Sequence, residues 1–205
     1  NKEIKIIKGY EFTTDLGAHI IGLFISEANP KKKDIDFIIN YILNQNGLIL
    51  IPHPYKDITG ALKIYKDTNF LEKCHLIEIV NGGIEESNQD LKNITNYAKK
   101  YNLKIVAGSD SHKVDQIGYY INKYDSNEDN LYSIVKNQMP QILYDRNYQS
   151  APRRINIIQK MKFYQFLIIL IPSKIRRLIK IYLNSILKSK VKIKQPDYQK
   201  LDINI

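Results

Sequence analysis

Two side chains that can bind a metal ion, Asp110 and His112, follow directly after the short apolar run at residues 105–107. A brief apolar run bounded by glycine and polar residues is typical of a strand that is covered on both faces. Residues two apart in extended chain point to the same side, so this carboxylate and this imidazole could bind one cation at about 2.0–2.2 Å. An Asp followed by Ser also fits a turn or a helix cap.

Three further residues add to this hypothesis: Glu11, His19 and His53. Each has an ordinary explanation by itself, as a solvated carboxylate, a core histidine, or a loop residue between two prolines. Together with Asp110 and His112, they form a mixed imidazole and carboxylate set that suits Zn, Mn or Fe. A cluster of such ions suits phosphoester hydrolysis, because it polarises phosphoryl oxygens, lowers the pKa of a bound water and neutralises the leaving oxygen.

The elements that must position these residues alternate between strands and helices. We predict strands at residues 4–9, 10–14, 19–25, 48–51, 76–80, 105–107 and 118–121, and helices at 34–46, 57–71, 87–101 and 128–138. Strand and helix in alternation are typical of a parallel α/β sheet or barrel, in which ligands bind beyond the carboxyl ends of the strands. We expect His53, Asn81, Asp110 and His112 at such ends.

The composition is that of a soluble globular protein, with 205 residues, 43% hydrophobic and 25% charged. The single cysteine, Cys74, excludes an internal disulfide framework, fits a reducing compartment and is predicted to be a small core residue. No signal peptide is apparent, which predicts a cytoplasmic protein.

The net charge of +10 is unevenly distributed along the chain. Residues 151–205 contain 13 Lys and Arg but 2 Asp and Glu, whereas the preceding 150 residues contain 18 and 19. This asymmetry predicts a nearly neutral domain at residues 1–147 and a basic tail at residues 148–205, joined by a linker near residues 148–154.

Five motifs occur in the order found in a known family. They are Gly9-Tyr10-Glu11-Phe12-Thr13, His19-Ile20-Ile21-Gly22-Leu23, His53-Pro54, Ile77-Glu78-Ile79-Val80-Asn81 and Gly108-Ser109-Asp110-Ser111-His112. In these motifs, which span roughly residues 1 to 120, the chain resembles the PHP (polymerase and histidinol phosphatase) superfamily of metal-dependent phosphoesterases.

The resemblance implies an α/β fold, a distorted seven-stranded TIM-like barrel with up to three divalent metal ions at its C-terminal mouth. Carried over residue by residue, the metal-ligand positions are Glu11, His19, His53, Asp110 and His112. The resemblance places Glu78 and Asn81 in a strand motif that lines the site, at best in support of the ligands. No side chain is an evident general acid, so the chemistry is expected to use a metal-activated water.

The chain also departs from the family pattern. The family begins with a His-x-His motif on its first strand and has further His and Asp ligands before the Gly-x-Glu segment, and this sequence contains neither. The chain also begins at Asn1 without a methionine. We therefore expect an N-terminally truncated barrel from a longer protein, poorly active in isolation although its parent is a hydrolase.

The basic tail contains a predicted amphipathic helix at residues 173–190, with one apolar stripe and most basic residues off it. Packing on the barrel or on another subunit is one expected role. Adsorption to an anionic membrane surface is a second, and contact with a nucleic-acid backbone is a third. The apolar run just upstream, at residues 163–171, is shorter than the roughly 20 residues that span a bilayer.

The leading functional hypothesis is a metal-dependent phosphoesterase that acts as a 5′-3′ exonuclease on short RNA or DNA, or as a nucleotide phosphatase. A small-molecule phosphatase of the histidinol-phosphate type is an alternative within the enzymes. A third hypothesis, from another class, is a PHP-like interaction module without catalysis. The same fold supports many functions, so the substrate is not determined by these motifs.

Overall fold

The computed structural model describes residues 4–84, 86–112, 114–146 and 196–201, with Asp115 by its backbone alone. The described residues up to Asp145, together with residues 198–201, belong to one compact unit. The described strands are β1 Gly9–Thr13, β2 His19–Leu23, β3 Leu48–Ile51, β4 Leu76–Asn81, β5 Lys104–Gly108, β6 Tyr120–Lys123, β7 Gln141–Asp145 and β8 Tyr198–Lys200. The described helices are α1 Ile35–Leu43, α2 Ala61–Ile64, α3 Asn88–Tyr101 and α4 Leu131–Asn137, with 3-10 turns at Asn69–Lys73 and Val114–Gln116.

Five of these strands form a mixed sheet in the order β1-β2-β3-β4-β5. β3, β4 and β5 are parallel, as predicted, whereas β2 runs antiparallel to both β1 and β3. These directions place the last residues of β1, β3, β4 and β5 and the first residue of β2 at one edge, which we call the site edge. Within the described residues the sheet is open, with β1 and β5 as its outer strands, and β6, β7 and β8 form a separate antiparallel sheet.

Both faces of the five-stranded sheet are apolar. Ile49 of β3 and Ile77 of β4 belong to the large core that includes residues of α1 and α3. Their neighbours Leu48 and Leu76 point to the opposite face, where they pack with Val135 of α4. Because successive strand residues alternate between faces, burial of both faces explains why these strands are hydrophobic throughout.

Side-chain caps define the starts of the two longer helices. The Asp34 side chain accepts a hydrogen bond from the Phe37 N–H at the start of α1, and Ser87 does the same from Asp90 at the start of α3. α3 ends at Asn102, whose φ of 53° is left-handed. These are the cap residues and end conformation expected from sequence, since they satisfy backbone groups that lack partners within the helix.

The single helix predicted at residues 57–71 is wrong. The structure has α2 and a 3-10 turn instead, separated by extended backbone. Ile58 has a φ of 75°, which no α-helix residue adopts, and this prevents a helix from starting near residue 57. The Asp67 carboxylate accepts a hydrogen bond from the Asn69 N–H at 3.0 Å, an alternative to helical bonding that short polar side chains favour.

The strand predicted at residues 4–9 is also wrong, except for Gly9, the first residue of β1. Residues 4–8 have no regular structure, and Ile4 and Ile6 are each 87% exposed, so no sheet covers them. Two strands were not predicted, β7 and the three-residue β8, because each gains its hydrogen bonds from a partner distant in sequence. The predicted linker at residues 148–154 and the predicted helix at 173–190 lie outside the described residues.

The described helices lack the combination of length and hydropathy that a membrane span requires. None of them is both long enough and apolar enough to cross a bilayer.

Candidate metal site

The direction of β2 brings two of the candidate ligands together. His19 is the first residue of β2 and pairs with Thr13, the last residue of β1, while Glu11 lies two residues earlier in β1. His53 follows β3 by two residues, on the other side of β2. All three side chains therefore meet at the site edge.

The three side chains converge on a small volume. One ligand atom from each of Glu11, His19 and His53 lies within 4.8 Å of the other two. Glu11 Oε1 is 3.2 Å from His19 Nδ1 and 3.4 Å from His53 Nε2, and the two imidazole rings are 5.3 Å apart between centroids. An imidazole pair and one carboxylate are a ligand set for a divalent transition metal.

The two histidines of the triad are largely buried, whereas the glutamate is partly exposed. The side chain of His53 is 2% exposed and that of Glu11 43%. Among the described residues, Nδ1 of His19 and Nδ1 of His53 are buried and have no hydrogen-bond partner. His19 Nδ1 is near Glu11 Oε1 without the alignment of a hydrogen bond. Buried polar nitrogens are normally bonded, so His19 Nδ1, which faces Glu11, fits a site that a cation completes. His53 faces Glu11 through Nε2 instead.

The charge of Glu11 is favoured in this setting. The side-chain contact with His53 lowers the pKa of the Glu11 carboxyl against the opposing effect of burial, and the charges of His19, His53 and Lys56 lower it further. A lowered pKa keeps the carboxylate ionised, which is the form that binds metal.

Glu78 holds the His53 backbone in place. Its Oε2 accepts hydrogen bonds from the His53 N–H at 2.7 Å and from Asn81 Nδ2 at 2.8 Å, and Asn81 Oδ1 accepts one from the Gly83 N–H at 2.8 Å. His53 has a left-handed φ of 29°, a strained conformation that needs such support. Burial raises the pKa of Glu78, partly offset by these hydrogen bonds. This geometry agrees with a supporting role for Glu78 and Asn81, which stays a prediction.

Asp110 and His112 do not join the triad. The expected extended backbone is wrong, because Asp110 has a φ of 46° and the chain turns there. The His112 side chain is 79% exposed, and its Nδ1 lies 2.8 Å from the carbonyl oxygen of Asp110. Among the described residues, the cluster of metal-binding side chains therefore consists of Glu11, His19 and His53.

The carboxylate of Asp110 instead pairs with a lysine that sequence reasoning missed. Lys56 Nζ lies 3.3 Å from Asp110 Oδ2, and both side chains are partly buried. A basic residue in the loop after β3, three positions beyond His53, was a signal that could have identified it.

Gly108 is a second residue whose role the sequence did not reveal. A Cβ atom at this position would lie 1.8 Å from Glu78 Oε1, closer than any two atoms can approach without a bond. The absence of a side chain on β5 therefore makes room for the buried carboxylate on β4.

A cavity of about 380 Å³ adjoins these residues on the face of the sheet away from α1 and α3. Its polar lining at the site edge includes Glu11, His53, Glu78, Asn81 and Asp110. Its apolar lining includes Ile7, Ile21, Leu23, Leu50, Leu76 and Val106. Glu11 and His53 of the triad thus lie where the polar rim meets the apolar part of the cavity, an arrangement common in ligand sites.

Glu86 provides a test of the electrostatics near this edge. Burial, followed by the charges of Asp90 and Glu78, raises the pKa of Glu86 from 4.5 to about 7. A raised pKa in the folded state contributes stability below pH 4.5 that is lost as the pH rises through 7. Glu86→Gln is therefore expected to stabilise the fold by about 1 kcal/mol at pH 8, after allowance for solvent screening, and by little at pH 4.

Urea unfolding at both pH values measures this difference. Glu128→Gln, a change at an exposed residue, is the matched control and is expected to leave stability unchanged. An equal effect of Glu86→Gln at pH 4 and pH 8 would contradict the prediction.

The chain matches one family model, described as PHP-associated, over residues 90–137. These residues run from α3 to α4 and include Asp110 and His112. The match overlaps the last of the five ordered motifs and supports the resemblance to the PHP superfamily.

Two curated relatives match parts of this chain, and both are described as uncharacterized proteins. The uncharacterized protein MJ0417 of Methanocaldococcus jannaschii is 29% identical over 116 residues, which cover 55% of this chain and 48% of that protein. The uncharacterized protein MJ1587 of the same organism is 41% identical over 59 residues, 29% of this chain and 34% of that protein. The matched regions thus span half or less of either relative.

Among solved structures, the fold is similar to a two-domain protein containing a predicted PHP-like metal-dependent phosphoesterase from Bacteroides vulgatus. The TM-score is 0.44 at 21% identity, with 68% of this chain and 37% of that chain covered.

Proposed function

We propose that this protein hydrolyses phosphoester bonds with a divalent metal ion held by Glu11, His19 and His53. One observation carries the proposal: three ligand atoms from three different strands or loops lie within 4.8 Å of one another at the site edge. The unpartnered Nδ1 of His19, which lies 3.2 Å from Glu11 Oε1, gives further support.

The chain's own residues bind and orient in this scheme. Glu78 holds the His53 backbone, and the low pKa of Glu11 keeps its carboxylate ready to bind. A bound Zn, Mn or Fe ion supplies Lewis-acid chemistry, since it polarises a phosphoryl oxygen and makes a water acidic. The cavity beside the triad offers room for the rest of the substrate.

We further propose that the substrate is a short nucleic acid or a nucleotide, and that the activity is 5′-3′ exonucleolytic or phosphatase. The motif resemblance supports this choice. We also propose that the complete protein forms a seven-stranded barrel and binds more than one metal ion. In that protein, Asp110 and His112 would serve as metal ligands. We propose that a domain at residues 1–147 is followed by a tail at residues 148–205, and that the protein is cytoplasmic. Residues 173–190, which lie outside the described residues, are proposed to contact protein, membrane or nucleic acid.

Metal binding and turnover together test the proposal. Titration calorimetry of the purified chain with Mn²⁺ or Zn²⁺ is expected to show binding, weakened more than about tenfold by Glu11→Gln. With metal present, the chain is expected to release phosphate or nucleotides from 5′-phosphorylated oligonucleotides or nucleotides, slowly, and the same substitution is expected to abolish this release.

Glu27→Gln, at an exposed residue outside the triad, is the control and should change neither readout. A folded chain that binds neither metal would contradict the proposed enzyme and favour an interaction module. Metal binding with hydrolysis of carboxylic esters or amides but of no phosphoester would contradict the proposed substrate class.

A further inference from the structure

Lys56 is a cationic side chain close to the candidate metal site. Its ammonium lies 3.3 Å from Asp110 Oδ2, and its charge also acts on Glu11. It therefore acts electrostatically on the triad and pairs directly with a carboxylate that the motif comparison places among metal-ligand positions.

The backbone of Lys56 is held firmly beside His53. Its N–H donates to the His53 carbonyl at 3.0 Å, and its carbonyl accepts from the Gly60 N–H at 2.8 Å. A Cβ atom on Gly60 would lie 2.5 to 2.7 Å from Pro54 O and from Lys56 N and O, so the tight loop requires glycine at that position. A lysine anchored in this way has a fixed base and a flexible tip, which can move between nearby partners.

The carboxylate of Asp110 is positioned with similar precision. Asp110 is left-handed, and its Oδ2 lies so close to Gly83 that a Cβ atom there would be 2.7 Å away. The ammonium of Lys56 satisfies this carboxylate as a divalent cation would. A metal ion that enters beside Glu11 and His53 would be repelled by the ammonium and would compete with it for Asp110.

We propose that Lys56 is an exchange residue: its ammonium neutralises Asp110 before metal binds, leaves when metal binds, and then binds the phosphate group of the substrate. This inference rests on the proposed function and deepens it. A flexible ammonium suits the task, because it forms a compact point charge that can bind a carboxylate or a phosphate equally well. Metal binding and phosphate binding would thus be coupled through one side chain.

The experiment measures Mn²⁺ affinity by dye competition at constant ionic strength. Lys56→Met is expected to tighten Mn²⁺ binding by about tenfold, because the competing charge is gone. Lys56→Arg retains the charge and should remain within about twofold of the wild type. Lys63→Met is the matched control, since Lys63 forms an ion pair with Asp57 rather than with Asp110 and is more exposed than Lys56.

A double-mutant comparison separates exchange from long-range repulsion. In the Asp110→Asn background, Lys56→Met should no longer tighten Mn²⁺ binding, because there is no carboxylate left to compete for. The second readout is inorganic phosphate binding to the Mn²⁺-loaded chain, which Lys56→Met should weaken by about tenfold and Lys63→Met should not change.

Unchanged or weaker Mn²⁺ binding in Lys56→Met would overturn the inference. So would tighter Mn²⁺ binding on Lys56→Met that persists in the Asp110→Asn background, or phosphate binding that Lys56→Met does not change. In each of these cases wild-type metal binding would still support the proposed function. Absence of Mn²⁺ binding from both the wild type and Lys56→Met would overturn the inference and the proposed metal site together.

Discussion

Gly108→Ala is expected to lower the free energy of unfolding by about 3 kcal/mol, the upper range for overpacking a buried site. The new Cβ atom would lie 1.8 Å from Glu78 Oε1, so the buried carboxyl must move. That movement breaks the hydrogen bond from the His53 N–H to Glu78 Oε2 and releases the strained loop. Urea unfolding measures the loss of stability, and metal affinity should fall with it.

The control for this prediction is to make Gly108→Ala in a protein that already carries Glu78→Ala. Removal of the carboxyl removes the clash, so Gly108→Ala in that background should cost less than about 1 kcal/mol beyond the cost of Glu78→Ala alone. An equal cost of Gly108→Ala in both backgrounds would show that Glu78 does not require the glycine.

His53→Ala is expected to weaken divalent-metal binding by more than about 100-fold, since loss of a direct ligand exceeds the effect of losing a supporting partner. His53 is the most buried member of the triad and has no substitute ligand among the described side chains within the cluster. Dye competition with Mn²⁺ or Zn²⁺ measures the change.

His75→Ala is the matched control. His75 precedes β4, and its Nδ1 accepts a hydrogen bond from the Ile49 N–H at 3.1 Å, so it has a structural partner away from the triad. This change should reduce stability and leave metal affinity unchanged. Metal affinity that falls equally in the two variants would mean that general loss of folding, and not loss of a ligand, explains the result.

Much of the site edge could be predicted because it follows from local patterns. The runs that became β3, β4 and β5 are bounded by turn residues, and parallel strands bring their carboxyl ends to one edge. This logic predicted that His53, Asn81, Asp110 and His112 lie at the carboxyl ends of these strands, and they do, although the His112 side chain is exposed. It also predicted Cys74 as a core residue, and Cys74 is buried.

The errors occurred where local patterns compete with distant contacts. The segment predicted as a helix at residues 57–71 has apolar residues at suitable intervals. Its first residues instead form a turn between Lys56 and Gly60, beside His53. Extended backbone was the simplest expectation for Asp110, yet the left-handed turn carries His112 into solvent. Neither outcome is visible in a window of a few residues.

By itself, the sequence determined which residue types are present, the order of the motifs and the ends of the parallel strands, because hydrophobic periodicity and turn residues act over short distances. Tertiary structure alone decided that β2 lies between β1 and β3, which brings His19 to Glu11 and His53, and that Lys56 pairs with Asp110. Strand direction and ion pairing depend on contacts between segments up to 54 residues apart. Those contacts exist only after the chain has folded.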